Sequence, residues 1–175
     1  MSKQKEKHKP VLLREVADLL APQAGESYLD LTAGMGGHAG AILELTQAPE
    51  RAILVDRDPA AVKMLKKKFK DTPVLQSDFY ASVKELTKQG KKFDNILADL
   101  GVSSLHLNVA LRGFSFVRSG PLDMRMDPNQ ALTAGEIVNT ANEAQLASIL
   151  REFGEERKSR QIAKNIVTKR PIHTT

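Results

Sequence analysis

The chain has 175 residues, with 26 Lys plus Arg against 21 Asp plus Glu, a formal net charge of +5 and 41% hydrophobic residues. That length accommodates one domain, or one domain and part of a second, and the composition is that of a folded globular protein rather than a disordered tail. The absence of cysteine excludes disulfides, cysteine-based zinc sites and thiol catalysis.

No apolar run approaches the roughly 20 residues of a membrane span. The basic N-terminus, Met1 to Pro10, has no apolar signal-peptide core after it, so a cytoplasmic location is expected. The basic excess favours an anionic partner such as nucleic acid.

In chain order, a helix is expected from Val11 to Leu20, where Leu12, Val16, Leu19 and Leu20 are spaced for one face. Tyr28 to Leu31 reads as a first strand, followed by a glycine-rich turn and a helix ending near Leu45. Ala52 to Asp56 is a second strand, and Pro59 opens the next helix, where its missing N–H costs nothing. That helix carries Val62, Leu65 and Phe69 on one side; Lys63, Lys66, Lys67, Lys68 and Lys70 read as a solvated face. Pro73 to Gln76 is a third strand and Ala81 to Gln89 a helix closed by Gly90. Phe93 to Leu100 is a fourth strand, whose Ile96-Leu97-Ala98 centre predicts burial on both faces.

Residues 101 to 130 form a long loop, a length that usually signals function or disorder. Helices follow at 141–153 and 155–169. Alternation of apolar strands and helices predicts a parallel sheet, with ligands bound beyond the carboxyl ends of its strands.

Polar residues cluster at those ends. Gly34, Gly36 and Ala39 fit a G-x-G-x-x-A turn between strand and helix, where close backbone approach and free helix N–H groups suit an anion. Asp56 ends the second strand, positioned to accept from ribose hydroxyls, while Asp58 before Pro59 can cap the next helix. Two cofactor classes fit: a dinucleotide or S-adenosylmethionine. Asp30, four residues before the first glycine of the turn, lies where an ammonium or a water network could be held. Asp78 and Phe79 could hold an adenine, though core packing explains Phe79 equally well. Gly101-Val102-Ser103 resembles half a nucleophile elbow, but Leu105 stands where glycine is required and no buried Asp–His pair is evident to activate a serine, which argues against a hydrolase. In 112–127, aromatics and arginines could stack a base and grip phosphates, or the loop could fold over its own small core. The four histidines form no metal motif.

Asp30 to His38 with its Gly-Gly-His triplet, Asp56, DLGVSS at 99–104, RGFSF at 112–116, GPLDMRMD at 120–127 and GEER at 154–157 resemble the MraW-type ribosomal RNA small-subunit methyltransferases. The resemblance implies an α/β, Rossmann-like class I fold that uses S-adenosyl-L-methionine to methylate N4 of a cytidine in the decoding region of 16S rRNA within the small ribosomal subunit. It implies cofactor contacts at Gly36, Gly37, His38, Asp56, Phe79, Asp99 and His106. Leu105-His106-Leu107-Asn108 departs from the family's usual Pro-Gln-Leu-Asp.

The resemblance covers about the first half of a family member. The implied layout is residues 1–110 as the N-terminal part of the methyltransferase domain, with four of the usual seven strands, 111–130 as an active-site or substrate loop, and 131–175 as part of an inserted all-helical domain. Strand 93–100 would then be an unprotected edge, which predicts poor stability or self-association. Asp99 is the candidate catalytic residue, either accepting from the cytosine amine or holding the cofactor's amino group. C5 methylation would need a cysteine adduct, so the lack of cysteine favours transfer to nitrogen or oxygen. A nicotinamide-dependent dehydrogenase and a non-catalytic RNA-binding remnant are the competing readings.

Overall fold

The computed structural model describes residues 10–102 and 107–175. They fall into two compact units, Met1–Ser103 and Ser104–Thr175. The first contains four parallel strands, β1 (Tyr28–Asp30), β2 (Ala52–Asp56), β3 (Val74–Gln76) and β4 (Asn95–Leu97), in the order β3-β2-β1-β4. Its helices are α1 (Leu13–Leu20), α2 (Gly37–Thr46), α3 (Pro59–Lys68) and α4 (Phe79–Lys88).

Alternation along the strands sorts the core into two layers. Tyr28 and Leu54 pack with Ala39, Ile42 and Leu43 of α2 and Leu65 of α3. Leu29 and Val55, their neighbours in sequence, turn to the opposite face and meet Leu86 of α4 and Phe93. Burial on both faces is what the short apolar strands require, and the result is the Rossmann-like sheet that the sequence led us to expect. Strand order reverses at β1, with β2 on one side and β4 on the other. The crevice at the carboxyl ends of β1 and β4 is therefore the place where such a sheet binds ligands.

Asp58 caps α3, accepting from the Ala60 N–H at 2.8 Å, with Pro59 in the first turn. The strand expected over 93–100 is shorter. Only Asn95–Leu97 pairs, and Ile96 is 52% exposed, because among the described residues β4 has a partner on one side alone. The expected burial on both faces is thus not met.

In the second unit, a 3-10 turn (Ala110–Arg112) precedes α5 (Ala134–Thr140), α6 (Glu143–Glu152) and α7 (Ser159–Thr168). Thr133 with Glu136 and Asn142 with Gln145 form capping boxes that start α5 and α6. Leu146 of α6 and Ala163 of α7 are buried. The helix expected from Glu155 begins at Ser159 instead, since Glu155 takes a left-handed φ of 52°. Among the described residues no helix is long and apolar enough to cross a membrane.

The open edge of β4 generates a test. In solution this 175-residue polypeptide is expected to associate with rising concentration, and Ile96→Lys, which places a charge on the edge, should reduce that association. Light scattering that finds a monomer at every concentration would contradict the edge as an association surface.

Candidate cofactor and substrate site

The residues after β1 make the site's frame. Leu31 N–H donates to the Leu97 carbonyl and Ala33 N–H to the Val55 carbonyl, both at 2.9 Å, so the turn is tied to strands on either side. Gly34 and Gly36 then adopt left-handed φ values of 52° and 67°. A Cβ at Gly36 would overlap the Phe69 ring and approach Leu65. Glycine is therefore required there by the fold itself, whatever the ligand. At Gly37 a Cβ would overlap the Pro10 ring.

Helix α2 starts directly after this bend, and Gly36 supplies no side-chain cap to its first N–H groups.

Three carboxylates border the bend. Asp30 is 1% exposed; it accepts from Tyr28 Oη at 2.9 Å and from the Thr32 N–H at 3.1 Å. Burial pushes its carboxyl up to about 6 despite those two hydrogen bonds, and the charges of Asp56 and Asp99 add to the rise. Burial likewise drives the Tyr28 hydroxyl upward, reinforced by Asp30, so it stays a donor. Asp56 accepts from the Gly34 and Asp58 N–H groups, each at 2.8 Å and each on a different oxygen. A carboxylate has about four acceptor positions, so two bonds orient Asp56 and leave capacity for a ligand. Asp99 follows β4; its N–H donates to Thr32 Oγ1 at 2.7 Å across the crevice, and its side chain is about half exposed.

His38 Nε2 lies 3.7 Å from Asp99 Oδ2, and Nδ1 is buried without a hydrogen-bond partner among the described residues. This pairing joins the helix start to the segment after the fourth strand, and with the Asp99 side chain about half exposed it is not the buried pair that serine activation needs. The imidazole of His38 is thereby turned to Asp99, while its N–H sits in the first turn of α2. Phe79 opens α4 and is 46% exposed, so it does not pack in the core. Asp78 is the helix cap, accepting from the Ala81 N–H at 2.9 Å; capping occupies one oxygen of the carboxylate that the sequence reading offered to an adenine amine. His106 and the Ser103-Ser104 pair lie outside the described residues. Thr32, Tyr28 and Lys68 were not singled out from the sequence as site residues. Tyr28 was legible as two positions before Asp30 on one strand face.

The loop of the second unit is held by its own arginines. Arg112 Nη2 donates to the carbonyls of Arg125 and Met126 at 2.9 and 2.7 Å. Arg125 grips Asp123, with Nη2 2.7 Å from Oδ2, and holds that carboxyl below the usual range. These guanidinium groups shape the loop, so the phosphate-gripping role raised from sequence has competition within the chain. Gly113 takes φ 74°, and a Cβ there would overlap the Pro121 carbonyl. Phe114 is half-buried, whereas Phe116 is 95% exposed.

A family model described as "MraW methylase family" matches residues 5–175. The chain is 44% identical over 177 residues to the protein named ribosomal RNA small subunit methyltransferase H of Koribacter versatilis, covering 96% of this chain and 56% of that one. It is 46% identical over 168 residues to the protein of that name from Nostoc punctiforme, with 96% and 56% covered, and 47% identical over 170 residues to that from a Picosynechococcus strain, with 97% and 58% covered. The chain thus spans a little over half the length of these curated relatives. With the match running over nearly every residue, the chain belongs to the MraW methylase family.

Proposed function

We propose that this chain forms the cofactor-binding part of an S-adenosylmethionine-dependent methyltransferase acting on N4 of a cytidine in the decoding region of 16S rRNA. Family membership supports the reaction class. The observation that carries the cofactor is the trio of Asp30, Asp56 and Asp99 tied to one glycine bend: Asp30 accepts from the Thr32 N–H, Asp56 from the Gly34 N–H, and the Asp99 N–H donates to Thr32 Oγ1. A pyrophosphate would meet repulsion from these carboxylates, which counts against the dehydrogenase reading. A nucleoside bearing an ammonium and a sulfonium would relieve it.

The donor set fits that cofactor. Asp56 would take the ribose hydroxyls and the exposed Phe79 ring the adenine face, while the buried charge of Asp30 would draw the ammonium toward it without direct contact. The N–H groups of Gly37 and His38 at the start of α2 suit a carboxylate. When bound, S-adenosylmethionine supplies an electrophilic methyl group. The chain's own task is orientation: Asp99, half exposed after β4, would accept a hydrogen bond from the cytosine amine and hold it in line. Thr32 fixes the backbone of Asp99, and His38 flanks its carboxylate. Phe116, the most exposed of the large apolar residues described, is the best-presented ring for stacking an unpaired base.

Three outcomes are expected. In calorimetric titration the chain binds S-adenosylhomocysteine and not NADH; the reverse preference would overturn the cofactor assignment. Burial raises the folded value of Asp30 above its ordinary one, so its ionisation destabilises the fold: the cost is absent below about pH 4 and complete above about pH 6. Asp30→Asn should therefore gain in melting temperature relative to the parent as pH rises through that window, while affinity of the parent for S-adenosylmethionine increases; flat profiles would contradict this. Phe116→Ala should weaken binding to small-subunit rRNA several-fold through lost stacking and leave S-adenosylhomocysteine affinity unchanged. Equal loss of both would contradict the assignment, and RNA binding without cofactor binding would favour the non-catalytic reading.

A further inference from the structure

Lys68, one of five lysines that the sequence offers as a solvated face, leaves that face at its tip. Its Nζ donates to the Gly36 carbonyl at 2.6 Å, 32 residues earlier in the chain. The same ammonium stands 4.8 Å from the centroid of the Phe69 ring. Phe69 in turn fills the space beside Gly36 where a Cβ would stand, together with Leu65. Loss of water lowers the lysine's proton affinity, with Glu44 acting against that shift, so the ammonium end is partly withdrawn from solvent although the residue as a whole is exposed.

The Gly36 carbonyl also accepts the Gly40 N–H at 3.2 Å. One oxygen thus couples three things: the left-handed bend at Gly36, the first turn of α2, and the last turn of α3. The same peptide region presents the N–H groups assigned above to the cofactor. Movement of the Gly36 carbonyl would rotate the Gly36–Gly37 peptide as a unit, because the peptide is planar.

We infer that Lys68 is a positioning residue for the cofactor bend, its ammonium holding the Gly36 carbonyl while the Phe69 ring supports the turn from beneath. The inference rests on reading that bend as the cofactor site. Lys68 touches neither cofactor nor substrate in this account. It acts through the backbone of Gly36 and Gly37.

The test uses the full 175-residue chain and S-adenosylhomocysteine as probe, with a calorimetric dissociation constant and a melting temperature for each variant. Lys68→Met should weaken binding roughly tenfold, the worth of one charge-assisted hydrogen bond lost from a preorganised site. Lys68→Arg, which keeps the charge and the donor, should bind as the parent does. Lys67→Met, an exposed neighbour, should change nothing. Lys68→Met binding as tightly as the parent, or Lys68→Met and Lys68→Arg losing affinity equally, would overturn the inference while leaving the cofactor site intact. A fall in melting temperature for Lys68→Met at unchanged affinity would also overturn it, since that is a structural role alone. A parent chain that binds no S-adenosylhomocysteine would overturn the site reading, and this inference with it.

Discussion

Asp30 ends a central strand almost without access to water, and two short-range donors keep it there: Tyr28 Oη and the Thr32 N–H. A buried carboxylate is costly unless bonded. Here burial raises the proton affinity more than the two hydrogen bonds lower it, and the charges of Asp56 and Asp99 add to the rise. Three carboxylates border one bend whose backbone is firmly tied. Positive charge approaching that bend would lower the energy of every carboxylate around it.

The rest of the site follows from how the chain is held against that anion. Asp58 takes the duty of capping α3. Asp56 is left to accept from the glycine turn and from its own loop, which aims it without saturating it. Thr32 ties the loop after β4 to the loop after β1, so Asp99 is fixed by its backbone while its side chain stays half exposed. Local rigidity with free carboxylate capacity is the arrangement expected of a preorganised binding site. The second unit repeats the strategy in a different way. Its arginines spend their donors on carbonyls and on Asp123, which lets a long glycine-containing segment hold shape and leaves Phe116 projecting.

Much of this was legible from residue patterns. The strand Ala52–Asp56 and the helix opening at Pro59 follow from an apolar run, a cap and a proline, all local signals. The parallel sheet followed from alternation. Local pattern failed where a partner distant in sequence decides the outcome. Ile96 reads as a core residue because it is flanked by apolar neighbours, yet its exposure depends on whether a strand lies beside β4. Phe79 could equally have entered the core, and only its place at the start of α4 exposes it. Lys68 is indistinguishable from Lys66 and Lys67 by composition; its contact with Gly36 arises from the packing of α3 against the glycine bend. The pairing of His38 with Asp99 likewise joins residues 61 positions apart, through the turn after β1. The family resemblance reached several of these positions without supplying the physical reason for any of them.

The carboxylate-lined bend after β1 is thus proposed to receive a cationic nucleoside. A crystal structure of the chain with S-adenosylmethionine, which carries the sulfonium that S-adenosylhomocysteine lacks, decides whether it does. The ribose hydroxyls are expected within hydrogen-bond distance of Asp56, the amino group toward Asp30 and the adenine against Phe79. A nucleoside bound elsewhere, with the bend at Gly34 to Gly37 vacant, would contradict it.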